Sequence, residues 1–379
     1  MHIDFTRNTE PSLGVELELH VVDPTTGNLV NAANEILDEI GAPHPDGGHP
    51  KAKHELFQST IEIITGVCHT PAEAKADLAT TLAEVRAAAG RRGLTVMSAG
   101  THPFALSADQ LISPKERYHE LVDDMQWAAR RLLICGTHFH VGVASGEQAI
   151  AVFNELQRHL PLFLIISSSS PYLEGQDTGL ASSRSKVFEA LPTAGLPPMI
   201  DDWSDFEDFM ETLLRANSIS SIREVWWDVR PHPDFGTVEL RMCDAAPTLR
   251  ETVALAALAQ TLVVTLRDQH ERGELPPKPR EWTIRENRWL AARHGVDAEL
   301  IVDDRGNRQP AAQMLLELVE QLRPTARRIG AEPELDDLLE LWKVGPGYLR
   351  QRRIVEAGGS YQDVVASLIG ELEDDEPRA

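Results

Sequence analysis

The sequence predicts an α+β fold in which helices cover the apolar face of an antiparallel or mixed sheet. Three short runs carry this prediction: Glu16–Glu18, His138–His140 and Glu239–Arg241 each place two charged or ligating side chains around one apolar residue. Residues i and i+2 of a strand point to the same face, so each run puts its polar pair opposite its apolar neighbours. A fully buried parallel sheet would show continuous apolar runs instead. The polar face is therefore expected to be open as a cavity.

Helix boundaries in the first half follow from capping patterns. Thr70–Glu73 is a capping box with proline at the first helical position, and the helix it opens is expected to end near Gly90. Ser113–Glu116 repeats this pattern and predicts a helix that reaches about Leu133. The other predicted elements are strands at 13–22 and 94–99, the strand around His138, a loop at 43–53, an extended segment at 54–67, a buried helix at 147–166, a helix over 205–216, two strands within 225–244, and helices at 248–272, 284–294, 310–328, 334–342 and 360–373.

The length of the chain fits one large domain or two ordinary ones. We interpret residues 1–379 as a single catalytic domain whose portion from about 248 onward is mostly helical. The acidic tail at 371–379 is expected to fray.

Composition and charge exclude several kinds of partner. The chain has 379 residues, of which 42% are hydrophobic, and a net charge of −23, which argues against binding to nucleic acid or an anionic membrane. The N-terminus lacks the apolar core of a signal peptide, and the apolar stretches around 160–166 and 253–266 are too short to span a membrane. The widely spaced Cys68, Cys135 and Cys243 suit a reducing cytoplasm and are expected to be buried core residues.

Carboxylates and imidazoles on one sheet face predict an oxygen-rich site for divalent metal ions, with Mg²⁺ or Mn²⁺ as the suitable ions. Two further carboxylates, Glu55 and Glu62, lie an odd number of residues apart, so one regular strand would point them to opposite faces. Either a bulge or turn intervenes near 58–60, or one of the two is not a ligand. Clustered carboxylates repel each other unless cations neutralise them, which predicts more than one metal ion.

Each run has a simpler interpretation when it is taken alone. A Glu-x-Glu pair fits a solvated sheet face, and a Glu-x-Arg pair fits a cross-strand ion pair. A His-x-His pair that does bind metal suits zinc as well as magnesium. The metal-site interpretation depends on the three runs occurring together, each on the polar side of an amphipathic strand.

Arginines near these runs are candidates for binding anions. Arg241 stands beside Glu239 and is suited to phosphate, while Arg230 and Arg184 fit either anion binding or a structural role. No glycine-rich phosphate loop follows a predicted strand. If ATP binds, we expect it to bind through metal ions and arginines.

The motifs together resemble the type 2 glutamate–cysteine ligase family, also called carboxylate–amine ligases, within the glutamine synthetase-like superfamily. The resemblance runs from residue 14 to about 298 and is carried by GVELEL, HELFQSTIEIITGVC, AGTHPF, CGTHFHVGV, SSSSPYLEGQDTGLASSRS, WWDVRPHPDFGTVELRMCD and ENRWLAARHGVDA. It implies a curved, mainly antiparallel sheet around a funnel-shaped active site with helices outside. It also implies ATP-dependent ligation of a carboxylate to an amine through an acyl phosphate.

The resemblance assigns roles to individual residues. Glu239 and Arg241 would be catalytic, and Arg241, Arg230 and Arg184 would bind the nucleotide or the substrate. The implied cofactors are ATP and Mg²⁺, with Mn²⁺ as the alternative ion. His140 would only orient its neighbours. Positions that match the family's metal ligands are Glu16, Glu18, Glu55, Glu62, His138 and Glu239.

Three functional hypotheses remain open at this point. The first is a ligase that joins glutamate and L-cysteine to γ-glutamylcysteine, with the same chemistry on another carboxylate or amine as its variant. The second is a zinc or manganese hydrolase that uses His138, His140 and a glutamate. The third is a catalytically weak metal-binding regulatory protein. The expected partners are small molecules, and the helical C-terminal third offers surface for a homodimer.

Overall fold

An antiparallel sheet of seven strands forms the centre of the computed structural model, which describes residues 2–378. The strands of the protein are β1 (Leu13–Val22), β2 (Ala52–His54), β3 (Thr60–Ile64), β4 (Thr95–Met97), β5 (Gly136–Gly142), β6 (Tyr172–Leu173), β7 (Gln176–Asp177), β8 (Val229–His232), β9 (Thr237–Asp244), β10 (Glu299–Ile301) and β11 (Arg308–Pro310). The central sheet has the order β2-β3-β1-β5-β9-β8, with β4 also paired to β1, and β6-β7 and β10-β11 form separate two-stranded sheets. Every pairing between these strands is antiparallel.

Helices account for most of the rest of the described chain. They are α1 (Ala33–Gly41), α2 (Pro71–Gly90), α3 (Glu116–Met125), α4 (Trp127–Arg130), α5 (Gly146–Leu156), α6 (Leu160–Ser167), α7 (Arg184–Phe188), α8 (Trp203–Arg215), α9 (Leu249–Arg272), α10 (Glu281–His294), α11 (Ala311–Ile329), α12 (Glu332–Val344), α13 (Gly347–Glu356) and α14 (Tyr361–Asp374). The predicted α+β class, with helices and a mainly antiparallel sheet, is confirmed.

One face of the sheet is covered by helices and packs against buried apolar side chains. Leu17 of β1, Phe139 of β5 and Leu240 of β9 are fully buried, and these strands contact α2, α5, α6 and α9. The cluster of buried apolar side chains to which they belong draws members from Ile3 to Leu372. By length and composition, helix α9 is long and apolar enough to cross a membrane. However, 89% of its most apolar 18-residue stretch is buried inside the protein, as in a core helix.

Local sequence signals located some helix boundaries and misplaced others. Thr70 caps α2 by accepting a hydrogen bond from the Glu73 N–H, as predicted. The helix predicted over 147–166 is two helices, α5 and α6, bent by 65° around 157–159. The helix predicted to reach Leu133 ends at Met125 instead, because Gln126 adopts a positive φ of 48° that a helix cannot accommodate.

The segment 371–379, which was expected to fray, begins as part of a helix. Helix α14 continues to Asp374, and its Glu371 is buried against Arg350 of α13, with 2.7 Å between a guanidinium nitrogen and a carboxylate oxygen. Arg350 also pairs with Glu251 of α9 at 2.8 Å. The acidic composition suggested a solvated tail, but one buried guanidinium donates hydrogen bonds to both glutamates.

We expect Arg350→Met to destabilise the protein by about 3–5 kcal/mol, because two carboxylates would be left buried without their cation. Urea denaturation followed by circular dichroism measures this change in the free energy of unfolding. The control is Arg272→Met, which removes the exposed ion pair with Glu274 and should cost less than about 1 kcal/mol. Equal losses in the two variants would contradict a structural role for the buried cluster.

Candidate active site

The register of the central sheet aligns the polar runs across neighbouring strands. Glu18 of β1 lies directly opposite Glu62 of β3, and Glu16 lies opposite His138 of β5. Cross-strand partners share a face, so all four side chains project from the face opposite the one on which Leu17 is buried. Glu16 accepts a hydrogen bond from His138, with 2.8 Å between its Oε2 and the Nδ1 atom.

A turn brings Glu55 to the same face. Strands β2 and β3 form a hairpin in which Lys53 lies opposite Glu62, and Glu55 follows β2 in the connection between them. Ligand oxygens of Glu18, Glu55 and Glu62 all lie within 4.8 Å of one another. Of the two alternatives for the odd spacing of Glu55 and Glu62, the intervening turn is the one that the structure contains.

Two more groups of potential ligand atoms share Glu16. One combines it with Glu62 and His138, and the other combines it with His140 and Glu239. The Nε2 atom of His140 lies 3.3 Å from Glu16 Oε1 and 3.8 Å from Glu239 Oε1, while its Nδ1 atom lies 3.1 Å from the Thr237 hydroxyl. His140 thus adjoins two candidate ligands, a position that suits a metal ligand as well as an orienting group.

Glu239 pairs with Arg230 and Arg241, two of the three arginines that were predicted to bind anions. Its carboxylate is 1% exposed and accepts from Arg230 Nε at 2.7 Å and from Arg241. Burial opposes ionisation of Glu239, but Arg241 and Arg230 hold its pKa well below the usual range. Glu239 is therefore a carboxylate at neutral pH, although its two oxygens already have partners.

Charge is distributed unevenly along this face. Burial and the charge of Glu18 raise the pKa of Glu55 to about 8, and burial and the charges of Glu16 and Glu55 hold the pKa of Glu62 well above its usual range. Burial also opposes ionisation of Glu16, but hydrogen bonds with His138 and His140 hold its pKa well below the usual range. Like charges therefore dominate the end of the face at β2 and β3, whereas the end at β8 and β9 pairs its carboxylate with arginines.

These residues fit divalent cations. Hard cations such as Mg²⁺ and Mn²⁺ prefer oxygen ligands and accept imidazole; one group offers carboxylates alone, and each of the other two adds one histidine. Burial and the charge of Glu18 raise the pKa of Glu55. A bound cation would compensate these charges and favour the ionised carboxylate. Since Glu16 and Glu62 each belong to two groups, the groups adjoin and could hold neighbouring ions.

Arg184 approaches the face from α7 and lies near the end of β9. Arg184 is 3% exposed. Its guanidinium donates to the carbonyl of Met242 at 3.2 Å and packs so close to Gly136 that an added Cβ there would collide with it. The Gly136 N–H donates to Glu18 Oε2 at 2.5 Å. Arg184 therefore lies beside the carboxylate group but not on the Glu239 side, where Arg230 and Arg241 lie.

Several charged residues of this region were not predicted. Arg288 of α10 pairs with the buried Asp228 at 2.6 Å and with Glu189, and Lys186 pairs with Glu189 at 3.1 Å. Burial and the neighbouring Arg288 lower the pKa of Lys186 to about 8. Arg288 falls within ENRWLAARHGVDA, whose resemblance to the family was the available signal, but nothing in its spacing indicated where its side chain would lie.

A cation from α3 was also missed. Arg117 donates to the Tyr118 hydroxyl, which in turn donates to the carbonyl of His54 at 2.7 Å. Burial opposes a charged Arg117, but Tyr118, Glu55 and Glu62 hold its pKa above the usual range. This helix is far from both carboxylates in sequence and belongs to none of the three runs, so only the fold reveals its proximity.

Solved structures of other proteins share this fold. A glutamate–cysteine ligase (gshA) from Francisella tularensis in complex with AMP superimposes with a TM-score of 0.71 at 11% identity, covering 98% of this chain and 90% of that one. A bifunctional glutathione synthetase from Pasteurella multocida gives a TM-score of 0.66 at 15% identity, covering 96% of this chain and 52% of that one. The protein therefore has the fold of the glutamate–cysteine ligases.

Sequence comparison places it within one family. The family model for glutamate–cysteine ligase family 2 (GCS2) matches residues 12–367. A Frankia casuarinae protein, provisionally named glutamate–cysteine ligase 2-1, is 50% identical over 378 residues, which is 100% of this chain and 99% of the relative. A Thermobifida fusca protein, provisionally named glutamate–cysteine ligase 2, is 48% identical over 372 residues, or 98% and 93% of the two chains. The chain belongs to glutamate–cysteine ligase family 2 and is a ligase.

We expect Glu62→Gln to have opposite effects with and without metal. Without metal, the substitution removes a carboxyl group whose ionisation is opposed by burial and by neighbouring carboxylates, and it should leave the thermal midpoint unchanged or higher. With Mn²⁺ at about 100 times its Kd, the wild-type protein should gain about 2.7 kcal/mol, and the variant should gain less at the same concentration. Scanning calorimetry with chelator or Mn²⁺ measures both.

The matched control for that measurement is Glu317→Gln, an exposed glutamate on α11. It should respond to Mn²⁺ as the wild-type protein does. A Glu62→Gln variant that retains the full Mn²⁺ effect would exclude Glu62 as a ligand.

Proposed function

We propose that the protein is an ATP- and Mg²⁺-dependent carboxylate–amine ligase, with glutamate and L-cysteine as the default substrates and γ-glutamylcysteine as the product. The observation that carries this proposal is the single sheet face on which carboxylates, imidazoles and two arginines converge. Family membership supports the ligase class, and the Francisella tularensis ligase of the same fold is in complex with AMP. Another carboxylate or amine remains the alternative within the same chemistry.

The proposed metal ligands are those of the sequence prediction. Glu18, Glu55 and Glu62 would hold one ion, and the groups around Glu16 would hold another with His138 and Glu239. When bound, Mg²⁺ or Mn²⁺ would screen the negative charge of polyphosphate and carboxylate. His140 adjoins Glu16 and Glu239 closely enough to orient both or to serve as a ligand itself.

The chemical step needs charge compensation more than a nucleophilic side chain. In the proposed reaction a substrate carboxylate oxygen forms a bond to the γ-phosphorus, and the bond to the departing ADP oxygen breaks. The amine nitrogen then attacks the acyl carbon, phosphate leaves with the bonding pair, and the nitrogen loses a proton. Positioned cations are the main protein contribution to phosphoryl transfer, and Arg241 and Arg230 are placed to supply them.

To bind phosphate, Arg230 and Arg241 would have to give up some of their hydrogen bonds to Glu239. In the structure both guanidinium groups are directed at this carboxylate. We propose that polyphosphate oxygens would take over some of these hydrogen bonds, and that Glu239 would then be one of the residues that hold a metal ion. Guanidinium can bind carboxylate and phosphate in the same fork geometry, so the exchange retains charge-assisted hydrogen bonds on both sides.

A zinc or manganese hydrolase, the alternative from another class, is less well supported. It requires His138 and His140 to share one ion, whereas among the described residues no group of potential ligand atoms contains both histidines. Membership in a ligase family also favours ligation. We further propose a cytoplasmic protein with small-molecule substrates, and no nucleic acid or membrane partner; the homodimer stays a prediction.

The experiment that tests the proposal follows ADP release with Mg²⁺, over amino acids and amines supplied singly and in pairs. We expect ADP formation that requires both a carboxylate and an amine, with one amide bond formed for each ADP. Product mass identifies the pair that is joined. Hydrolysis of an amide or ester without nucleotide, and no ADP from any pair, would overturn the ligase.

Glu239→Gln and Arg241→Ala should each lower the turnover of this reaction by about 100-fold or more, since a positioned charge at the transferring phosphoryl group is worth that much. Circular dichroism and the thermal midpoint should show that both variants remain folded. Arg215→Ala, which removes an exposed arginine of α8, is the control and should keep wild-type turnover. Near-normal turnover in either of the first two variants would contradict the assigned roles.

A further inference from the structure

Three aromatic rings meet at one end of the candidate active site. His232 of β8 and Phe235 of the following turn are stacked, with 4.1 Å between ring centroids and 5° between planes. The His140 ring lies edge-on to both, at centroid distances of 5.5 Å from His232 and 5.6 Å from Phe235. We call His140, His232 and Phe235 the aromatic group.

The aromatic group lies on the same sheet face as the carboxylates. The His140 ring approaches Glu16 and Glu239, so it projects from that face, and any ring that contacts it lies there too. His232 is two residues from Arg230 in β8 and therefore points to the same side as the arginine that holds Glu239. Phe235 thus contacts His140, which adjoins Glu239, and His232, which lies two residues from Arg230.

Backbone contacts fix the turn that presents Phe235. The Gly236 N–H donates to the Pro233 carbonyl at 3.2 Å, and the Thr6 N–H donates to the same carbonyl at 2.9 Å. Gly236 has a φ of 63°, and a Cβ there would collide with the Thr6 carbonyl, so the turn requires glycine. These contacts therefore hold the backbone that carries Phe235, and His232 stacks on its ring.

Phe235 gains little from burial. It is 57% exposed, although His232 covers one of its faces. Single exposed apolar residues are common and need no explanation by themselves. What distinguishes Phe235 is its position: the exposed ring is held parallel to a second ring, beside the arginines and carboxylates of the candidate site.

We propose that Phe235, supported by His232, is the stacking surface for the base of the nucleotide. This inference rests on the proposed use of ATP. The chain has no glycine-rich loop of the common nucleotide-binding types, so metal ions and arginines are expected to bind the phosphates. None of these groups provides a contact for the base. A flat exposed aromatic ring next to the phosphate ligands meets that need, because every base offers a π-face for stacking.

Stacking on a ring is tolerant of base identity. Phe235 should therefore contribute to the binding of ATP and GTP alike and should not contribute to the binding of inorganic tripolyphosphate, which has no base. Stacking on an aromatic side chain contributes about 5- to 150-fold to affinity. The difference between ATP and tripolyphosphate isolates this contribution from that of the phosphates.

The test is titration calorimetry of the full chain with Mg²⁺-ATP and, separately, with Mg²⁺-tripolyphosphate. We expect Phe235→Ala to raise the Kd of ATP at least about 5-fold and to leave the Kd of tripolyphosphate unchanged. Phe235→Trp should keep the affinity for ATP, and His232→Ala should weaken ATP binding alone, to a smaller extent. Trp282→Ala, which removes an exposed aromatic residue on α10, is the matched control and should bind both ligands normally.

Each other outcome is decisive. If the wild-type protein binds neither ligand, the proposed use of ATP is overturned and the stacking surface with it. If the wild-type protein binds ATP and Phe235→Ala binds it equally well, the stacking surface is excluded while the proposed function stands. If Phe235→Ala weakens ATP and tripolyphosphate by the same factor, Phe235 acts on the phosphate site, and the assignment to the base is wrong.

Discussion

The antiparallel register of the central sheet is the constraint on which the candidate site depends. Because Glu18 lies opposite Glu62 and Glu16 lies opposite His138, the polar side chains form rows across three strands. A shift of one residue in any of these pairings would move a whole polar set into the apolar layer beneath α9. The buried Leu17 and its neighbours thus fix the register, and the register in turn assembles the site.

Because of this assembly, negative charge is compensated at one end of the polar face and not at the other. Arg230 and Arg241 compensate Glu239, whereas Glu55 and Glu62 stay close to Glu18 and retain protons more readily than free carboxyl groups do. Folding therefore brings like charges together and creates an affinity for cations. Metal ions would bind most strongly where carboxylates crowd one another, and polyphosphate would approach where the arginines lie.

The sequence was informative where the chemistry followed local spacing. Period-two alternation placed Glu16, Glu18 and His138 on one face without knowledge of the fold. It could not choose between a turn and a bulge for Glu55, since that depends on which strands pair as a hairpin. The alternation also did not predict the positions of Arg117 and Arg288, because their helices reach the site only through tertiary packing.

Arg184 illustrates why the rest required the structure. The pairing of β9 with β5 shifts by one residue between Phe139–Leu240 and Thr137–Cys243, so β9 contains a bulge next to Arg241. The shift places Asp244 opposite Gly136, on the polar face of the sheet. In a regular strand, Asp244 would lie on the same face as Leu240. The Asp244 carboxylate accepts hydrogen bonds from the hydroxyls of Ser170 at 2.6 Å and Ser182 at 2.8 Å.

The same serines position Arg184. The Arg184 N–H donates to the Ser170 hydroxyl at 3.1 Å, and its guanidinium reaches over Gly136 toward the carboxylate group. One inserted residue in β9 therefore decides, through Asp244 and Ser170, where a cation of α7 lies. A pattern of alternate residues carries no signal for such an insertion, because the bulge is specified by the pairing of two strands and not by either strand alone.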